Sequence, residues 1–157
     1  MAPHRAALVK QTVALLGDAV EVRTADGRET GTAEPGGYDR VLVDAPCTGL
    51  GALRRRPEAR WRRRPDDLDE LGRLQRALLT SALDATRSGG VVAYATCSPH
   101  LAETGSVVAD VLATRTADRL DAPAVLPDIS HQRGPDLQLW PHRHGTDAMY
   151  LALLRRG

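Results

Sequence analysis

The sequence predicts an α/β fold built on parallel strands, and three observations carry that reading. Leu68, Leu71, Leu74, Leu78, Leu79 and Leu83 repeat at helical spacing up to Arg87, are followed by Gly89-Gly90, and lead into VVAYA (residues 91–95), a continuous apolar run of the kind found in buried parallel strands. A second such run, RVLVD (residues 40–44), lies upstream of the helix, so the order is strand, helix, glycine turn, strand. The two cysteines, Cys47 and Cys97, each stand just beyond the carboxyl end of one of these runs. If the strands are parallel neighbours, both thiols lie at one edge of the sheet, where open α/β folds bind their ligands.

The remaining elements follow in order. Residues 4–16 carry Ala7, Leu8, Val13, Leu15 and Leu16 with no breaker before Gly17, which predicts one amphipathic helix with a glycine stop. AVEVR (residues 19–23) predicts a short strand running to Asp26-Gly27, and the polar, Gly- and Pro-bearing residues 24–38 a loop. Asp67 with Glu70 has the pattern of a capping box at the start of the leucine helix. After Cys97, Ser98 supplies an N-cap and Pro99 a first-turn residue for a helix continuing over residues 103–113. Residues 114–136 are proline-rich and predict irregular chain. LQLW and AMYLALL then bracket PHRHGTD as two antiparallel strands joined by a loop.

Composition sets the bounds. A chain of 157 residues with 42% apolar and 26% charged side chains fits one domain with a hydrophobic core. No stretch approaches the roughly 18 apolar residues of a membrane span, and the residues after Met1 lack the apolar run of a secretory signal. The expected location is the cytoplasm, whose reducing conditions favour free thiols over a Cys47–Cys97 disulfide. His142 and His144 have no cysteine at ligand spacing, so no metal is expected and they read as loop residues. The net charge of +1 excludes little, but its distribution is informative. Residues 54–64 (RRRPEARWRRR) place seven arginines around Trp61, a combination suited to phosphate contacts and base stacking. Trp61 and Trp140 can equally serve as packing residues.

The cysteine contexts suggest specific chemistry. Cys97, directly before a predicted helix start where backbone N–H groups favour an anion, is the better nucleophile. Asp44, at the end of its strand and three residues before Cys47, is placed to accept from a substrate amino group or to share a proton with a ring nitrogen. A thiolate beside an acid fits addition to C6 of a pyrimidine, which turns C5 into a carbon nucleophile able to take an electrophilic methyl group. The ring must be unstacked to be reached, which implies a single-stranded or flipped-out base.

DAPCTGLG (residues 44–51), ATCSPH (residues 95–100), RRRPEARW between them and the terminal PHRHGTDAMYLA resemble the RsmB/Sun/Fmu family of S-adenosyl-L-methionine-dependent RNA cytosine-C5 methyltransferases, which modify ribosomal RNA. The resemblance implies that Cys97 is the nucleophile, that Cys47 helps release the product, and that Asp44 lines the place where cofactor and cytosine meet. It further implies that Asp26 contacts the adenine end of the cofactor. The fold it implies is a Rossmann-like class I methyltransferase sheet of order 3-2-1-4-5-7-6, here incomplete, so that residues 1–157 form a partial methyltransferase domain.

The departures from the family concern the cofactor half. The family's glycine-rich loop after the first strand and the acid ending the second have no counterpart, nor has its N-terminal RNA-binding domain; residues 1–5 match in character the segment after that second acid. AVEVR would then be the third strand and RVLVD the fourth, separated by a two-strand gap of about 10 Å that leaves ladder groups unpaired, unless the third strand pairs elsewhere, a partner chain fills the gap or the sequence is a truncated piece. Two other functions stay open on sequence grounds: a non-catalytic RNA-binding fragment built on residues 54–64, and a dithiol redox protein using Cys47 and Cys97.

Overall fold

The computed structural model describes residues 3–125, 127, 129 and 134–157. In chain order, α1 (Pro3–Thr12), α2 (Thr30–Ala33) and β1 (Tyr38–Asp44) precede α3 (Ala59–Arg62), α4 (Asp67–Ala85) and β2 (Thr86–Thr96). There follow α5 (Gly105–Leu112), β3 (Ala117–Leu120), β4 (Leu137–Gln138), α6 (Pro141–His144) and β5 (Tyr150–Arg156). The strands form one mixed sheet of order β1-β2-β5-β3, with β4 also paired to β5. That order is the 4-5-7-6 end of the sheet implied by the resemblance.

β1 and β2 run parallel, with Val41 opposite Val92 and Asp44 opposite Ala95. The helix α4 crosses between them because its apolar stripe, including Leu79, Ala82 and Leu83, has only one place to go: against the sheet face that carries Val92 and Tyr94. α5 adds Val107, Val108 and Val111 to the same core, and β5 adds Ala152 and Leu154. Along β2 burial alternates, with Val92 and Tyr94 enclosed and Val91, Ala93 and Ala95 half-buried. The continuous apolar run thus serves a sheet whose second face is only partly covered. β5 runs antiparallel to β2, with Leu153 opposite Ala93, and β4 joins it antiparallel, as the terminal strand pair was expected to.

Several expectations need correction. AVEVR forms no ladder: residues 20–26 are irregular, because among the described residues no strand stands beside β1 on its free side for it to reach. The predicted N-terminal helix ends at Thr12 and passes into a 3-10 turn, Ala14–Ala19, kinked at Gly17 (φ 54°), with Leu15 fully exposed. Asp67 caps nothing as a box; its carboxylate accepts from the backbone N–H of Arg64 at 3.2 Å. Gly89-Gly90 does not stop α4, which ends at Ala85; the pair forms a bulge at the start of β2, where Tyr38 faces Thr86 but Arg40 already faces Val91. Gly89 adopts φ 72°, and a Cβ on Gly90 would lie 2.7 Å from the carbonyl oxygen of Asp39. Within residues 114–136, expected to be irregular, β3 forms a fifth strand against β5; residues 126, 128 and 130–133 lie outside the described residues, as do Met1 and Ala2.

Gly51 joins three segments near the strand ends. Its N–H donates to the Cys97 carbonyl at 2.9 Å, and its own carbonyl accepts from Ala148 N–H at 3.0 Å. A Cβ there would meet the Ala148 oxygen at 2.1 Å and the Cys97 oxygen at 2.7 Å. Both neighbours are backbone, so neither can swing aside. Gly51→Ala is expected to destabilise the chain by about 2 kcal/mol or more, as overpacking of a closed contact does; a urea melt giving an unchanged midpoint would contradict this close approach.

Candidate active site at the ends of the first two strands

Parallel pairing places the chain leaving Asp44 beside the chain leaving Thr96, and Ala45 N–H extends the ladder one step by donating to the Ala95 carbonyl at 2.9 Å. The next residues then converge. The Cys47 and Cys97 sulfurs are 3.3 Å apart, Cys47 buried and Cys97 partly open, and both are free thiols. They line a cleft of about 520 Å³ together with Asp44, Arg56 and Arg63. Three of the four residues singled out from sequence, Asp44, Cys47 and Cys97, are therefore in one place.

The two sulfurs share one proton unequally. The hydrogen bond from the Cys47 thiol lowers Cys97 to about 7, against the opposing effect of its burial and of the Asp44 and Asp147 charges. The same bond, together with burial, pushes Cys47 far up, so Cys47 keeps the proton and Cys97 carries the charge. The source of this asymmetry differs from the one expected. Ser98 is no N-cap and Cys97 does not open a helix: a 3-10 turn, Leu101–Glu103, comes next and α5 starts only at Gly105. Cys97 is polarised by a neighbouring thiol rather than by a helix end.

Residues that sequence reasoning passed over hold the two loops. Glu103, fully buried, accepts from Thr48 N–H at 2.7 Å, Thr48 Oγ1 at 2.5 Å, Ser98 Oγ at 2.6 Å and Gln75 Nε2 at 3.2 Å. Gln75 also donates to the Pro46 carbonyl at 2.9 Å, and Tyr94 OH to the Glu103 carbonyl at 2.9 Å. From the outside, Arg63 donates to the carbonyls of Thr48 and Cys47 at 3.0 and 3.2 Å. Arg55 grips the buried Asp147 with its Nε, 2.9 Å from Oδ2, fastening the arginine-rich segment to the loop before β5. A signal for Glu103 did exist: it is the single acid between Asp84 and Asp110, in an otherwise apolar and small-residue stretch. Gln75 had one too, as an amide on the apolar stripe of α4.

Asp26 lies elsewhere. Arg28 binds its carboxylate through Nε at 3.0 Å and through its backbone N–H at 3.0 Å, and so holds the acid down at about 2. It opens on a cavity with Arg23, Glu29 and Glu34, separate from the thiol cleft. Asp44 lines both the thiol cleft and a groove along β1, and that groove shares Gly27, Thr30 and Tyr38 with the cavity of Asp26. Trp61 is 81% exposed, with the Arg60 guanidinium 4.9 Å from its ring centre, whereas Trp140 is half-buried at the start of α6. His144 sits in α6, where its Nδ1 accepts from Trp140 N–H at 2.8 Å. No helix among the described residues is long and apolar enough to cross a membrane.

The comparisons with known proteins agree with this geometry. The family model described as 16S rRNA methyltransferase RsmB/F matches residues 1–155. A Mycobacterium tuberculosis protein whose description goes no further than methyltransferase is 60% identical over 156 residues, spanning 98% of this chain and 33% of that protein. Ribosomal RNA small subunit methyltransferase B of Pectobacterium carotovorum is 37% identical over 147 residues, 93% of this chain and 33% of that one. The crystal structure of NSun6 from Pyrococcus horikoshii with SFG superposes with a TM-score of 0.83 at 25% identity, covering 99% of this chain and 39% of that one. The chain spans about a third of the length of the curated relatives it matches. A family match over residues 1–155 of 157 shows that the chain belongs to the 16S rRNA methyltransferase RsmB/F family.

Proposed function

We propose that this chain is the pyrimidine-reacting part of an S-adenosyl-L-methionine-dependent RNA cytosine-C5 methyltransferase acting on ribosomal RNA. The observation that carries the reading is the thiol pair: two sulfurs at 3.3 Å in a cleft shared with Asp44, where the bond from Cys47 draws Cys97 down to about 7. Cys97 adds to C6 of an unstacked cytosine, while Asp44 accepts from the N4 amino group and shares a proton with N3, which becomes more basic as the addition puts an electron pair into the ring. C5 is then the nucleophilic carbon. S-adenosyl-L-methionine would supply the methyl group, with Asp44 beside the reacting ring and Asp26 toward the adenine end as this chain's contacts to it. Once C5 is substituted, its proton must leave to a base and the C6–S bond must break, returning the Cys97 thiolate. Cys47, adjacent to that sulfur, assists this release.

The RNA contact falls to residues 54–64. Arg55 and Arg63 are engaged inward, while Arg56 lines the thiol cleft and Arg60 with Trp61 forms an exposed cation–π pair. Phosphates near Arg56 and a base stacked on Trp61 would hold single-stranded RNA beside Cys97. The membrane has no part in this reading, and the expected compartment is the cytoplasm.

Three measurements test it. Mixed with RNA containing 5-azacytidine, whose ring is a stronger electrophile at C6, the chain is expected to form a denaturation-resistant adduct that Cys97→Ala abolishes; an adduct formed equally well by that variant would refute the assignment. In the full-length methyltransferase, Cys47→Ser is expected to accumulate a covalent RNA complex, whereas a dithiol redox protein would give none. Iodoacetamide should modify Cys97 with a midpoint near pH 7, fast above it where the thiolate predominates and slow below it, while Cys47 stays unmodified. A midpoint in the ordinary thiol range would remove the basis for Cys97 as nucleophile.

A further inference from the structure

The two thiols sit on loops, and loops do not hold a 3.3 Å separation unless something fixes them. Beside the Gly51 N–H bond to the Cys97 carbonyl and the Arg63 bonds to the Cys47 and Thr48 carbonyls, one side chain reaches both loops. Glu103 has no exposed surface, and both of its carboxylate oxygens are saturated: Oε1 accepts from Thr48 N–H and Gln75 Nε2, Oε2 from Thr48 Oγ1 and Ser98 Oγ. Thr48 follows Cys47 directly and Ser98 follows Cys97 directly. One buried carboxylate therefore grips the residue after each cysteine. Gln75, itself fully buried, extends the grip to Pro46 on the other side of Cys47. A carboxylate in a fully desolvated site is costly unless every lone pair is used, and here the donors come from α4 and from both thiol loops.

We propose that Glu103 is the positioning residue of the thiol pair: by accepting from the residue that follows each cysteine, it sets the separation of the two sulfurs and with it the reactivity of Cys97. It touches neither sulfur and acts only through Thr48 and Ser98. The inference rests on the two-thiol reading of the cleft and deepens it. An all-apolar replacement would strand four donors, so the informative change is Glu103→Gln, which keeps the shape while replacing one acceptor oxygen with an amide donor. If the amide faces Thr48 N–H and Gln75 Nε2, donor meets donor; if it faces the Thr48 and Ser98 hydroxyls, both must turn from donors into acceptors, and the charge that held them is gone, so the grip on the two loops weakens.

The test is the pH profile of iodoacetamide alkylation at Cys97 on the 157-residue chain, with circular dichroism and a cooperative melt to establish folding. Glu103→Gln is expected to move the midpoint upward and slow the reaction about tenfold at neutral pH, since a thiol deprived of its donor is protonated there. A purely structural role would lower the melting temperature and leave the alkylation profile of the folded state where it is, and that result overturns the proposal. Should Glu103→Gln fail to fold, Thr48→Val and Ser98→Ala each remove one donor and keep the carboxylate. Each is expected to move the midpoint part of the way, and wild-type profiles from both would be equally fatal. Cys47→Ala separates the two layers of the argument. If it leaves the Cys97 profile unchanged, the two-thiol reading fails and this inference with it. If it raises the midpoint while the Glu103 variants do not, only the positioning role fails.

Discussion

The parallel pairing of β1 with β2 is the constraint on which the rest of this structure depends. Two parallel strands in register end at the same edge, so Asp44 opposite Ala95 obliges the DAPCTG and TCSPH loops to leave the sheet side by side. A parallel pair also needs a crossover, which α4 supplies, and the apolar stripe of that crossover makes the core with Val92, Tyr94 and α5. Fold and site share one cause. The hydrophobic contacts that hold α4 on the sheet also place Gln75, which reaches from the helix into the loop that bears Cys47.

Charge in this chain is distributed by task rather than by sign. Of the arginines in residues 54–64, Arg55 is committed to the buried Asp147, Arg63 to two loop carbonyls and Arg54 to the Gly145 carbonyl at 3.2 Å, so a run that reads as one basic face is in part a set of fasteners. Guanidinium suits that use because its planar fork can bond two acceptors at once. What is left facing outward is Arg56 in the cleft, Arg60 over an exposed tryptophan, and the exposed Arg62 and Arg64.

The free edge of β1 sets the limit of the isolated chain. Leu42 on that strand is 69% exposed, and a groove lined by Arg40, Leu42, Asp44 and Leu78 runs beside it. AVEVR, the predicted third strand, forms no ladder. The described sheet corresponds to one end of the methyltransferase fold, in keeping with coverage of about a third of the relatives. An unpaired edge is a place where backbone groups depend on water for their hydrogen bonds.

Much of the fold was legible because its signals are local. The 3.6-residue leucine repeat, the two apolar runs and the terminal strand pair each depend on residues close in sequence, and each appears near its expected place. AVEVR failed for the opposite reason: a strand is made by its neighbour, and none is within reach. β3 was missed because its four residues, ADRL, carry no alternating pattern and are extended only by pairing with β5. For the site, scarcity of cysteine and its position after two strands were sufficient to single out Cys47, Cys97 and Asp44 from sequence alone. The 3.3 Å between the sulfurs, the hydrogen bond that divides their proton, and the grip of Glu103 on both loops are tertiary facts. They join residues about fifty positions apart through a buried carboxylate, and no local pattern records which distant donors a buried charge will find.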